Sequence, residues 1–114
     1  MSKRLEKQHR ERIVGLGCIA CHNMGIEDSP ACIHHIRNGY GMAQRAPEWE
    51  ILPLCHQHHQ GGHGVGFHGG SSTWEKKYGT ERELLRQCRE MLIEQYGEVL
   101  IDGELCDHLP VSGQ

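Results

Sequence analysis

The chain has few large apolar side chains: one Phe, two Trp and three Tyr among 114 residues. A chain this short has room for one domain and no second core, and packing alone gives it little margin of stability. No apolar run approaches the roughly 20 residues needed to span a bilayer, so no membrane role is expected. The N-terminal Met-Ser-Lys-Arg-Leu-Glu-Lys-Gln carries charge where a signal peptide needs an apolar stretch, so the expected compartment is the cytoplasm. There, six cysteines are read as metal ligands or free thiols and not as a disulfide scaffold.

Excess positive charge is also missing, since the formal net charge is −3. Its distribution is uneven. From Glu98 to Gln114 there are four acidic residues and no Lys or Arg, whereas Lys3, Arg4, Lys7, Arg10 and Arg12 cluster at the front. A near-neutral body with a basic arm is compatible with a polyanionic partner, and bound cations would add positive charge locally.

Histidine and cysteine are what the chain has in quantity, ten and six respectively, many of them between Cys18 and His68. Cys18-x-x-Cys21 and Cys55-x-x-His58 are two knuckles separated by 33 residues. Two ligands at i and i+3 can turn toward one ion from a tight turn, and a second such turn completes a tetrahedral zinc shell. Cys32 is a spare thiol that competes with His58 for the fourth position. Cys88 and Cys106 are read as ordinary buried or idle thiols.

The coarse pattern places these ligands. Residues 2–14 favour a helix with a thin apolar stripe of Leu5, Ile13 and Leu16. Ala31-Cys-Ile-His-His-Ile36 and Trp49-Glu-Ile-Leu-Pro-Leu54 read as two strands joined by a loop with Asn38, Gly39 and Gly41. The second enters Cys55-His-Gln-His-His59 directly, and six glycines between Gly61 and Gly70 keep any helix there short. Ser72-x-x-Glu75 and Thr80-x-x-Glu83 look like capping boxes opening two helices; the second carries Leu84, Leu85, Cys88, Met91 and Leu92 on one face. Strand, loop, strand, metal-rich turn and helix is the order of a ββα-metal unit. The expected fold class is therefore α+β, a small zinc-stabilised ββα-metal domain at 18–97 with flanking N- and C-terminal helices, a basic helix or arm at 1–17 and an acidic tail at 98–114.

His34 and His35 are adjacent on a strand, so their side chains point to opposite faces and should have different jobs. A CxxC knuckle, a His-His-Ile strand and Leu-Cys-x-x-His-His together resemble the HNH endonucleases. That resemblance implies that His34 and His59 hold a catalytic divalent cation, Mg²⁺ or Mn²⁺ or another, and that His35 is the general base that activates water. It also implies products with 5′-phosphate and 3′-hydroxyl ends. His63, four residues after His59, and His68 compete to be a third ligand. Neutral imidazole is a competent base at cellular pH. Arg37, just after the His-His-Ile strand, is a candidate phosphate clamp, and Lys76 and Lys77 are candidates for DNA backbone contacts.

Gly41-Met-Ala-Gln-Arg-Ala-Pro-Glu-Trp49, Leu-Pro-Leu-Cys-His-Gln-His-His59, Gly-Phe-His-Gly69 and Trp74-Glu-Lys-Lys-Tyr-Gly79 are similar to the phage-encoded Ref-type nucleases. This implies HNH chemistry on DNA marked by a RecA recombinase filament, in phage or prophage recombination. Two departures accompany it. Glu50 stands where many HNH proteins have a middle Asn, which leaves support of the inter-strand loop to Glu48 or Glu50, and the basic N-terminal segment is short. The competing reading is a zinc-binding nucleic-acid or protein interaction module without catalysis, and a further one a histidine-rich metal carrier. Against the first stands the His34-His35 pair, because a structural site has no need of a second imidazole on the opposite strand face.

Overall fold

The two apolar runs pair as expected, β1 (Cys32–His35) with β2 (Ile51–Leu54), antiparallel, His34 opposite Leu52 and Ile33 opposite Pro53. The computed structural model describes residues 2–62 and 65–110. Every residue of β2 is buried, because α1 (Lys3–Gly15), α2 (Ile19–Asn23) and α5 (Glu81–Tyr96) all pack on it. A strand covered on both faces has no polar face to show, which is why Ile51-Leu-Pro-Leu54 does not alternate.

α1 begins where Ser2 caps it, its hydroxyl accepting from the Leu5 N–H at 3.2 Å. Ile13 is fully buried, while Leu5 and Leu16 are only half covered; the buried stripe is completed by His9, four residues before Ile13 and 3 % exposed. α2 is the short turn of the first knuckle, and α3 (His56–Gln60) follows β2 at the second. A 3₁₀ turn at Phe67–Gly69 then leads into α4 (Ser71–Tyr78), whose Trp74 is fully buried between Phe67 and Tyr78.

Between α3 and α4 the glycines are needed sterically. A Cβ at Gly66 would collide with the Gly61 backbone, and one at Gly69 would sit 2.8 Å from Gly61 O. The loop folds tightly on itself, and this returns Phe67 and His68 to the end of α3.

Of the two expected capping boxes, one forms. Thr80 Oγ1 accepts from the Glu83 N–H at 3.1 Å and Glu83 Oε1 accepts from the Thr80 N–H at 2.9 Å. Ser72 is not a cap: α4 starts a residue earlier, at Ser71, behind Gly70 at φ 157°, so Ser72 lies inside the first turn. The acidic segment from 98 holds a further pair of strands. Val99–Ile101 (β3) and Glu104–Cys106 (β4) form a hairpin around Asp102-Gly103, both at positive φ. Val99, Leu100 and Ile101 are all buried, with β3 packed against α1 and α5, so this strand too lacks an alternating pattern. Among the described residues no helix is long and apolar enough to cross a membrane.

Candidate functional site

Both knuckles converge. Cys18 caps α2, its sulfur accepting from the Cys21 N–H at 3.4 Å, and Cys55 and His58 come from the junction of β2 and α3. Sγ of Cys18, Cys21 and Cys55 lie 3.5, 3.4 and 3.2 Å from His58 Nδ1, and the Cys21 and Cys55 sulfurs are 3.8 Å apart. Tetrahedral zinc with its ordinary bond lengths separates two sulfurs by roughly 3.8 Å and a sulfur from a nitrogen by roughly 3.6 Å. The donor set and its spacing fit a metal such as zinc. Burial pushes the Cys18 thiol up to about 12. Burial acts the same way on Cys55, but the His58 N–H and the neighbouring thiols outweigh it and hold that group below its usual range.

Cys32 is not part of this cluster. Its S–H donates to Leu54 O at 3.2 Å, and its sulfur lies 3.4 Å from His59 Nδ1, from which it accepts. Cys88 is buried in the core, and burial pushes its thiol up to about 12; Cys106 is half-buried on β4.

A second cluster joins His34 from β1, His59 from α3 and His68 from the 3₁₀ turn, with one ring nitrogen of each inside a 4.8 Å group. The Nε2 atoms of His59 and His68 are 3.0 Å apart, and the His34 ring lies 5.0 and 5.4 Å from theirs. His34 is 1 % exposed and its Nδ1 is buried without a hydrogen-bond partner. Its Nε2 donates to Glu81 Oε2 at 2.6 Å. Glu81, also buried, further accepts from the Arg37 N–H at 2.8 Å through Oε2 and from the Asn38 N–H at 2.9 Å through Oε1. Burial alone would raise the Glu81 carboxyl; His34 and the two backbone N–H groups bring it below its usual range. Burial, and then the neighbouring imidazoles, lower His59 to about 4, and burial followed by His34 lowers His68. Imidazole nitrogens facing one point, one of them orphaned in the interior, are what a bound cation requires.

These clusters lie within a span recognised by a family model. A model described as recombination enhancement, RecA-dependent nuclease matches residues 4–93. The chain belongs to the RecA-dependent nuclease family. Membership gives this nuclease a role in recombination, and the matched span holds both clusters while the β3–β4 hairpin lies beyond it. No curated protein matches the chain.

In this nuclease His68 joins His34 and His59; the competing His63 lies outside the described residues. His35 is not in the three-imidazole cluster. It is directed to the other face of β1, where Nε2 donates to Glu48 Oε2 at 2.7 Å. With the proton there, the 3.3 Å approach of Arg45 Nε to the same nitrogen is a contact and not a second hydrogen bond. Burial would raise the Glu48 carboxyl, but His35 and the Arg10 guanidinium hold it below its usual range. The loop between the strands is tied by both glutamates: Glu48 to Arg10 at 3.2 Å, and Glu50 to Tyr40 Oη at 2.7 Å and to Arg82 at 3.1 Å.

Arg37 is exposed and lines a cleft of about 520 Å³ together with Asn38, Phe67, His68, Gly70 and Glu81. Lys76 and Lys77 are exposed on the last turn of α4, Lys77 Nζ lying 5.3 Å over the Tyr78 ring. Arg10 and Arg12 are engaged within the molecule, with Glu48 and Glu98, which leaves Lys3, Arg4 and Lys7 as the exposed cations of α1. Glu81 is the site residue sequence reasoning missed. An acidic residue in the first turn of a helix is expected for the helix dipole alone, and nothing nearby marks it as a histidine's partner.

Proposed function

We propose that this nuclease is a metal-dependent HNH endonuclease that hydrolyses DNA phosphodiesters with little sequence preference, acting in the cytoplasm in phage or prophage recombination. Cys18, Cys21, Cys55 and His58 would hold a structural zinc, and His34, His59 and His68 a catalytic Mg²⁺, Mn²⁺ or other divalent cation. The observation that carries this reading is the convergence of three imidazoles, His34 presenting an orphaned Nδ1, at the junction of two paired strands and the following short helix. A purely structural zinc module has no use for that second cluster beside a completed tetrad.

The cation, when bound, would supply electrostatic stabilisation of the charge that builds on the phosphate and the departing 3′-oxygen. His35 is the general base. Its Nε2 proton is held by Glu48, which leaves the Nδ1 lone pair to take a proton from water and leaves a carboxylate to stabilise the imidazolium that forms. Arg37, at the mouth of the cleft beside His68, holds the phosphate with its planar fork. Lys76, Lys77, Lys3, Arg4 and Lys7 contact flanking phosphates. Such contacts carry no base sequence, so a recombinase filament would supply the choice of target.

Supercoiled plasmid incubated with the protein and Mg²⁺ or Mn²⁺, with and without a recombinase filament, tests this. Wild type should cut, and His35→Ala and His59→Ala should each lower the rate by about 10²- to 10⁴-fold, the usual worth of a positioned base or an equivalent loss at the metal. Intact plasmid under every condition, or variants that cut like wild type, would reject the assignment.

A further inference from the structure

We propose that Glu81 is the positioning residue of the three-imidazole site: it fixes the His34 tautomer and the backbone that carries Arg37, so that one carboxylate sets both metal affinity and the phosphate contact. The inference rests on the reading of His34, His59 and His68 as a metal site. Glu81 is the first residue of α5 and is 2 % exposed. Its two oxygens accept from three donors, His34 Nε2–H, Arg37 N–H and Asn38 N–H, at 2.6, 2.8 and 2.9 Å.

The two backbone N–H groups can only donate, and an ionised carboxylate accepts from both and from His34 with no proton of its own to place among them. Because His34 Nε2 must then hold its proton, Nδ1 is left as a lone pair, and that is the nitrogen with no partner in the protein. The negative charge also makes the imidazole a stronger donor to a cation on its far side, the effect that outer carboxylates have on metal-bound histidines. An amide in place of the carboxylate cannot reproduce this. If its oxygen faces His34 and Arg37, its NH₂ meets the Asn38 N–H; turned over, its NH₂ meets Arg37 N–H and His34 Nε2, which favours moving the ring proton to Nδ1, into the metal site. The same three bonds tie the end of β1 to the N-terminus of α5, where the first-turn N–H groups favour negative charge. Arg82, the next residue of α5, reinforces the junction by donating to Asn38 O at 2.7 Å.

The test uses the full chain with its zinc in place. Nitrogen-15 correlation spectra of the imidazoles, recorded without added divalent cation, read the His34 tautomer. Calorimetric titration with Mn²⁺ alone reads the affinity. Wild type should show His34 protonated at Nε2. Glu81→Gln should shift that ring toward the Nδ1–H form and weaken Mn²⁺ binding about 10- to 100-fold, with zinc content unchanged. Glu81→Asp, which retains two accepting oxygens, should keep the Nε2–H tautomer and lose less affinity than Glu81→Gln. A folded Glu81→Gln protein that binds Mn²⁺ as wild type does, with the His34 tautomer unmoved, would overturn the proposal. A wild type that takes up no Mn²⁺ would remove the metal reading itself, and the tautomer spectra distinguish that failure from this one.

Discussion

His9 shows how a single buried ring makes stability depend on pH. It sits on the inner face of α1 with Nε2 unpartnered, and burial, followed by the nearby Arg89 guanidinium, lowers it to about 4 from an ordinary 6.5. An unfolded chain takes up a proton near pH 6.5 that the folded ring refuses until near pH 4. Folding stability is therefore intact above 6.5 and falls as pH drops through that window, by about 3 kcal/mol in all for this group. His9→Leu should flatten the decline, read as urea midpoints at a series of pH values; metal ligands titrate in both proteins, so the difference between them isolates His9. A decline equally steep in both proteins would show that the ring is not the cause. In the sequence His9 is one more polar residue of a basic helix. Only its spacing of four from Ile13 hints at burial, and that hint is worth little for a residue equally at home in solvent.

Among the elements, the difference between Thr80 and Ser72 is directly measurable. Both begin a hydroxyl-x-x-Glu pattern, but Thr80 bonds to the first turn of α5 whereas Ser72 lies inside α4. Thr80→Ala should cost about 1 kcal/mol, while Ser72→Ala, at an exposed position without a cap bond, should stay within about 0.5 kcal/mol. Denaturant midpoints of the two variants check the pair, and equal losses would contradict the assignment of caps. The local pattern in the sequence was enough for β1, β2 and α5, because each rests on an apolar run or a 3.6-residue face. It found the helix α4 but not its start, where Gly70 and not a side chain precedes Ser71, and it missed β3, which is buried on both sides and so has no alternation to read. The cluster of three cysteines and His58 was legible because its spacing is local on each side; the Glu81–His34 bond was not, because 47 residues separate its partners.

At the scale of the whole molecule, one chain with few aromatics has two distant segments, the α2 turn and the β2–α3 junction, drawn together at the thiol cluster. A metal at such a site is folding free energy, so Cys18→Ser, or treatment with a strong chelator, should abolish cooperative unfolding and lose one zinc per chain, measured by circular dichroism and metal analysis. A stable, cooperatively folding, zinc-free Cys18→Ser protein would refute the role. Helix α3 gives this dependence a further reach. It has five residues, too few to hold a helix unaided, and its neighbours His58 and His59 serve different clusters. If the two clusters bind as proposed, loading would be ordered: a newly made chain would have to fill the thiol cluster before it could retain the second cation, and a cell short of the first metal would contain nuclease that is inert however abundant the second.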